Sequence, residues 1–190
     1  MAIRTKKLVV LLLLIILIIA ALFGIKYTAN KLYKSAYPKK YSGSVIKYSA
    51  EYNIDEDILY AIIKTESDFK PDVTSNVGAR GLTQIMEDTF NWIKTKLKDE
   101  NTVYDDMYQA DDNIRYGAFL IGYLYDEFKS YETAAAAYHA GRTATGKWLK
   151  NAEYSSDGIT LDTIPIKDTQ HYVNKVMKSF QMYKKIYDKN

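Results

Sequence analysis

Hydrophobic residues fall along this chain in two different patterns. From Leu8 to Ile25 the run LVVLLLLIILIIAALFGI holds 18 residues with no charge and no strongly polar group. At ~1.5 Å per residue, such a helix is just long enough to cross a ~30 Å hydrocarbon core. It has no polar face with which to lie along an interface. A retained transmembrane anchor is therefore expected over 8–25. The rival is a cleaved signal peptide, whose apolar core is usually ~7–15 residues and ends at a small-residue site. Here Ala20 and Ala21 are followed by Leu22 and Phe23, which fits that site poorly. Residues 26–43 are basic, rich in tyrosine and broken by Pro38 and Gly43, as in a stalk with room for one short helix.

Beyond Ser44 the apolar positions recur at three- and four-residue steps, the mark of helices with one buried face. The spacing predicts a short helix over 44–52. A second starts near Asn53, with Asn53 and Glu56 in a capping arrangement and acids in its first turn. Pro71 and the small, glycine-containing segment 72–81 predict a loop. Residues 82–98 again read as helix. A longer helix capped by Asp111 or Asp112 runs to about Lys129, with Ile114, Ala118, Ile121, Tyr125 and Phe128 as its buried stripe. Shorter helices are expected over 133–140 and 146–151, a polar loop over 153–163, and a last helix over 169–187. No alternating strand stands out, so the fold class is all-α, with one domain over 44–190 after the basic end 1–7, the anchor 8–25 and the stalk 26–43.

Composition narrows the chemistry. The chain has no cysteine and only two histidines, His139 and His171. That removes disulfides, thiolate metal sites and a cysteine nucleophile, and leaves little for a histidine-based metal site or a Ser-His-Asp triad. Four of the 26 basic residues lie in the first 26 positions without an acid, leaving 22 cations against 23 acids beyond them. The folded part is thus no platform for nucleic acid. No segment resembles a phosphate-binding loop and no ligand cluster is present, so neither a metal nor another cofactor is expected. Charge counting leaves the orientation of the anchor open, because Lys26, Lys31, Lys34, Lys39 and Lys40 on one side rival Arg4, Lys6 and Lys7 on the other.

One residue breaks the pattern. Ile58, Ile62 and Glu66 are spaced by four and share one helical face, flanked by Leu59 and Ile63. A glutamate ending an apolar ridge is expected to be partly buried, which raises its pKa toward that of a general acid working near neutrality. The plainer alternative is a side chain emerging into solvent at the helix end. Its surroundings bear on the choice. The segment ESDFKPDVTSNVGARGLTQIM, residues 66–86, resembles the first motif block of the soluble-lytic-transglycosylase (SLT) family of peptidoglycan-cleaving enzymes. AAAAYHAG, residues 134–141, followed by Trp148-Leu149, resembles the family's Ala-Ala-Tyr-Asn-Ala-Gly block. IPIKDTQHYVNKV, residues 164–176, resembles its Ile-Pro-aromatic-x-Glu-Thr-x-x-Tyr-Val block, and NIRYGAFLIGYL, residues 113–124, fits the intervening helix. The likeness covers about residues 44–187.

That resemblance implies a lysozyme-like helical domain. Glu66 would be its single catalytic acid/base at the β-1,4 bond between N-acetylmuramic acid and N-acetylglucosamine. It would protonate the bridging oxygen and then deprotonate the muramic C6 hydroxyl, leaving a 1,6-anhydro end with no nucleophilic aspartate. Ser75 would lie near the acetamido group, or simply order its loop. Gly78 and Gly81 would bring backbone close to the glycan, or take the positive φ of any tight loop. Gln84 would hydrogen-bond sugar. Met86 would pack against it, or fill the core. Tyr138 would hold the environment of Glu66 or the sugar ring, or be a core tyrosine. Asp168, where Glu is usual, would reach the cleft. His139 replaces the usual Asn, Thr83 a common Met and Glu87 a common Pro. The substrate, peptidoglycan glycan strands, would put the domain outside the cytoplasmic membrane, with residues 1–7 inside. Two alternatives remain open: a muramidase of the same fold, with Asp68 or Asp72 as a second carboxylate, and a catalytically weak glycan-binding module of a secretion or division complex.

Overall fold

A computed structural model describes residues 2–187, with side chains from Leu12 onward. The side chains of the basic end and of residues 8–11, and the last three residues of the expected 44–190 domain, lie outside that description. The described residues fall into two units, divided after Pro38. The first is α1 (Ala2–Ala36), a continuous helix whose Leu12–Ala36 portion is the one stretch among the described residues long and apolar enough to cross a membrane. The helix runs on through residues 26–36 of the expected stalk, and Pro38, which cannot donate into a helical ladder, lies just beyond its end.

The second unit is all-helical. It comprises α2 (Ser42–Glu51), α3 (Glu56–Ser67), α4 (Glu87–Leu97), a 3-10 turn over Tyr104–Tyr108, α5 (Ala110–Phe128), α6 (Tyr131–Ala140), α7 (Arg142–Leu149) and α8 (Lys167–Tyr187). Helix α3 packs along α8, α2 lies on α5, and α6 sits between α5 and α8. The run Ala134–Ala137 explains that middle position: all four are buried, and side chains this small let two helices approach α6 at once. The core joins Ile58, Leu59, Ile62 and Ile63 of α3 to Ile114, Ala118 and Ile121 of α5 and to Val173 and Val176 of α8, all essentially inaccessible. The predicted stripes thus face inward, apart from Tyr125, which is half-buried. A second cluster joins Ile85, Phe90, Ile93, Met107 and Tyr116.

Three local expectations need correcting. Asn53 does not cap α3: it takes a left-handed φ of 50°, and Asp55 does the capping by accepting the Asp57 N–H at 2.9 Å. Neither Asp111 nor Asp112 caps α5; Gln109 precedes it without a side-chain cap, and Asp111 instead accepts from Ser44 and Tyr48 of α2 at 2.6 Å each. Residues 82–86 are not helical. They close a looped segment on which Thr74 bridges Arg80 and Arg80 bridges Ile85, and α4 starts only at Glu87.

Candidate active site

Glu66 stands in the last turn of α3, which ends when Asp68 turns left-handed at φ 48°. The residue is half-buried, and its carboxyl is closely surrounded by protein. Taking a carboxylate out of water costs far more than taking out the neutral acid. Burial accordingly pushes the Glu66 pKa up to about 7, against a weaker downward pull from the Tyr172 hydroxyl. That hydroxyl, carried by α8, donates to Oε1 at 2.7 Å. It is the only hydrogen bond to the carboxyl among the described residues. Near pH 7 the group is therefore present in both protonation states, as a residue that first gives and then takes a proton requires.

The raised pKa has a consequence for stability. In the unfolded chain Glu66 ionises near 4.5, and in the fold near 7. The folded state thus holds a proton that the unfolded state has lost, so stability falls as pH rises between these values, and the full penalty of roughly 3 kcal/mol stands above pH 7. Glu66→Gln is expected to raise unfolding free energy by about that amount at pH 8 and hardly at all at pH 4. Denaturant unfolding at the two pH values measures the difference.

Below Glu66 the 73–86 loop is tied to three helices. Ser67 donates to the Leu82 carbonyl at 2.8 Å, fastening the loop to the end of α3. Asn113, wholly buried on α5, accepts the Thr83 N–H at 2.7 Å and donates to the carbonyls of Arg80 and Met107 at 3.0 and 2.8 Å. Tyr138 of α6 donates to the Thr83 carbonyl at 2.7 Å, and Tyr104 donates to the carbonyls of Gly78 and Ile85. Gly117 lets α5 come this close: a Cβ there would meet the Thr83 side chain at 2.5 Å.

Of the expected site residues, Tyr138 lies close enough to the acid for the Glu66 charge to act on its phenol. The Ser75 hydroxyl accepts the Ala79 N–H at 3.0 Å and so orders the loop. Gln84, at φ 50°, donates its amide to the carbonyls of Gly81 and Val73 at 2.8 and 3.3 Å. Met86 is 40% exposed, so it is no core filler; it lines a depression of about 310 Å³ with Val77, Gly78, Arg80 and Tyr104. Asp168 is exposed in the first turn of α8, where its charge acts on His139. Gly81 is turned inward against Met107 and Asn113, so of the two loop glycines only Gly78 borders open space. Asp68 pairs with Lys64 at 3.0 Å and Asp72 is exposed.

Tyr138 also walls a groove of about 460 Å³, with Trp92, Tyr123, Leu120 and Arg142 among its lining. Asp88 borders both this groove and the Met86 depression, so the two adjoin. Tyr172 was not singled out from the sequence, although its block was. One of 18 tyrosines, it declares itself only when α8 folds back against α3.

This geometry has relatives. The Transglycosylase SLT domain model matches residues 43–159. Soluble lytic murein transglycosylase of Salmonella typhimurium is 30% identical over 144 residues, covering 74% of this chain and 22% of that protein. Membrane-bound lytic murein transglycosylase C of Sodalis glossinidius is 31% identical over 109 residues, covering 55% of this chain and 29% of its own length. An inactive glutamate-to-glutamine mutant of the lytic transglycosylase Slt from Pseudomonas aeruginosa superposes with a TM-score of 0.72 at 26% identity, over 80% of this chain and 25% of that one. The chain thus spans about a fifth of the length of the soluble murein transglycosylase it matches. The lysozyme-like all-helical domain, with an ordered loop fastened to the end of the helix that carries Glu66, belongs to the SLT transglycosylase family.

Proposed function

We propose that this protein is a peptidoglycan lytic transglycosylase, with Glu66 as its single general acid/base. The observation that carries the reading is the Glu66 carboxyl itself, desolvated to a pKa of about 7 and held by one phenol donor. In its protonated form it gives its proton to the oxygen joining N-acetylmuramic acid to N-acetylglucosamine, and the C1–O bond breaks. The resulting carboxylate then takes the proton of the muramic C6 hydroxyl as that oxygen bonds to C1. The proton count closes on Glu66, no water is consumed, and the product ends in a 1,6-anhydro ring. The positions of Asp68 and Asp72 favour this course over hydrolysis, since the usual two-carboxylate glycosidase needs a second acid facing the bond. The glycan would run through the groove beside Tyr138, where Trp92 and Tyr123 offer flat faces to sugar rings, past Met86 and the loop held by Ser75 and Gln84. The resemblance implies that Asp168, exposed in the first turn of α8, reaches the cleft.

The names of the soluble and membrane-bound murein transglycosylases support this substrate class, and the inactivity of the Pseudomonas Slt glutamate-to-glutamine mutant supports a glutamate as the essential group. The apolar helix α1 supports a single-pass membrane anchor over 8–25, with the domain outside the membrane, where peptidoglycan lies. Mass spectrometry of peptidoglycan digested by the purified protein tests the reaction: products ending in 1,6-anhydromuramic acid are expected. Reducing muramic ends instead would establish a muramidase, and binding without cleavage a glycan-binding module.

A further inference from the structure

We propose that His139 is a positioning residue for the acid, its imidazole bracing the Tyr172 ring so that the phenol stays on Glu66. The inference rests on the reading of Glu66 as the acid. His139 closes the last turn of α6, and its ring stacks on that of Tyr172 with centroids 4.6 Å apart and planes at 30°. Its Nδ1 lies 3.1 Å from the hydroxyl of Thr169, a buried residue one turn before Tyr172 on α8. One side chain from α6 thus touches α8 twice, once through a hydrogen bond that sets the imidazole and once through a ring face that sets the phenol.

Glu66 has no other hydrogen bond among the described residues, so whatever fixes the Tyr172 ring also fixes the hydroxyl's aim at Oε1. Stacked aromatic pairs have specific geometry and resist the ring swinging away. Burial holds the His139 pKa below its ordinary value against the opposing charge of Asp168. Of the charged groups on α8, Asp168 acts on the ring, Glu66 of α3 stands beyond Tyr172, and Arg142 of α7 and Glu127 of α5 are paired with each other. Burial thus biases the imidazole toward its neutral form. Asparagine, usual at this position in the motif that residues 134–141 resemble, could still reach Thr169 but has no ring to lay on Tyr172.

The test compares wild type, H139A, H139N and H139F in the full chain, held in detergent micelles. The Glu66 side-chain carboxyl is titrated by carbon-13 NMR and assigned by its loss in E66Q. The Tyr172 hydrogen bond favours the ionised carboxyl, so a loosened phenol moves the Glu66 midpoint to higher pH. H139A and H139N are expected to show that upward shift, and H139F, which keeps a stacking ring, the wild-type midpoint. In glycan cleavage kcat should fall about 2- to 10-fold in H139A with KM unchanged, and recover in H139F. Should H139A not fold, H139N carries the same comparison. A wild-type midpoint in the ring-less variants, or an equal shift in H139F, overturns the proposal. The titration needs no cleavage, so a wild type that cleaves no glycan defeats the functional reading alone.

Discussion

Glu66→Gln is expected to lower the rate of glycan cleavage by about 10³-fold or more. General acid–base groups contribute about 10² to 10⁴ in rate, and here one carboxyl serves both the proton donation and the later abstraction. The amide is nearly the same size and its Oε1 can still accept from Tyr172, which donates at 2.7 Å in the native site. Shape, packing and glycan affinity should therefore survive while the transferable proton is gone, so kcat drops with little change in KM. The wild type adds a pH signature. Its acid form is depleted above about pH 7, where burial has placed the Glu66 pKa, so activity should fall on that alkaline side. Release of soluble fragments from purified peptidoglycan measures both. Retained cleavage by the glutamine variant would remove Glu66 from the mechanism.

Much of this site was legible because local periodicity announced it. Ile58 and Ile62 mark the buried face of α3, and Glu66 continues that face by one further turn, so spacing allowed a desolvated carboxyl beside a solvated one and the motif around it favoured the first. The stripe on α5 was an equally local signal. What could not be read depends on partners distant in sequence. Residues 82–86 carry helix-like apolar spacing, yet Asn113, thirty residues on, takes the Thr83 N–H, and Gln84 is left at a positive φ no helix tolerates. Asn113 itself looks like an ordinary polar residue in a helical stretch until the loop arrives to use both ends of its amide. Capping failed at closer range: Asn53 and Asp55 both suit an N-cap, and the left-handed turn at Asn53 leaves the role to Asp55. Tyr172 lies on the buried stripe of α8 with Thr169, Val173 and Val176. Spacing does not say which residues that stripe meets, and its contacts with Glu66 of α3 and His139 of α6 are tertiary facts.

The same loop gives a sharp contrast between two glycines. Gly78 and Gly81 both have positive φ, 89° and 75°, so alanine at either meets the backbone strain of the left-handed region, roughly 1 kcal/mol. Space separates them. A Cβ on Gly78 meets nothing within 4 Å, whereas one on Gly81 would sit 1.9 Å from the Met107 carbonyl oxygen and 2.3 Å from the Asn113 amide nitrogen. Neither neighbour is a free end that can swing aside: the carbonyl is backbone, and the amide is held by its bonds to Arg80 and Met107. Gly81→Ala is therefore expected to cost at least about 3 kcal/mol, in the range of severe overpacking combined with a broken buried network, and Gly78→Ala about 1. Because Leu82 and Thr83 follow directly and hold the loop to Ser67 and Tyr138, whatever Gly81→Ala protein remains folded should also lose activity, with Gly78→Ala close to wild type. Both tryptophans, Trp92 and Trp148, lie in the helical domain, so fluorescence-monitored urea unfolding reports on it without interference from α1. Equal unfolding midpoints for the two variants would show that the loop does not press against Met107 and Asn113 as described, and the packing that aligns Thr83 with Tyr138 would need a different explanation.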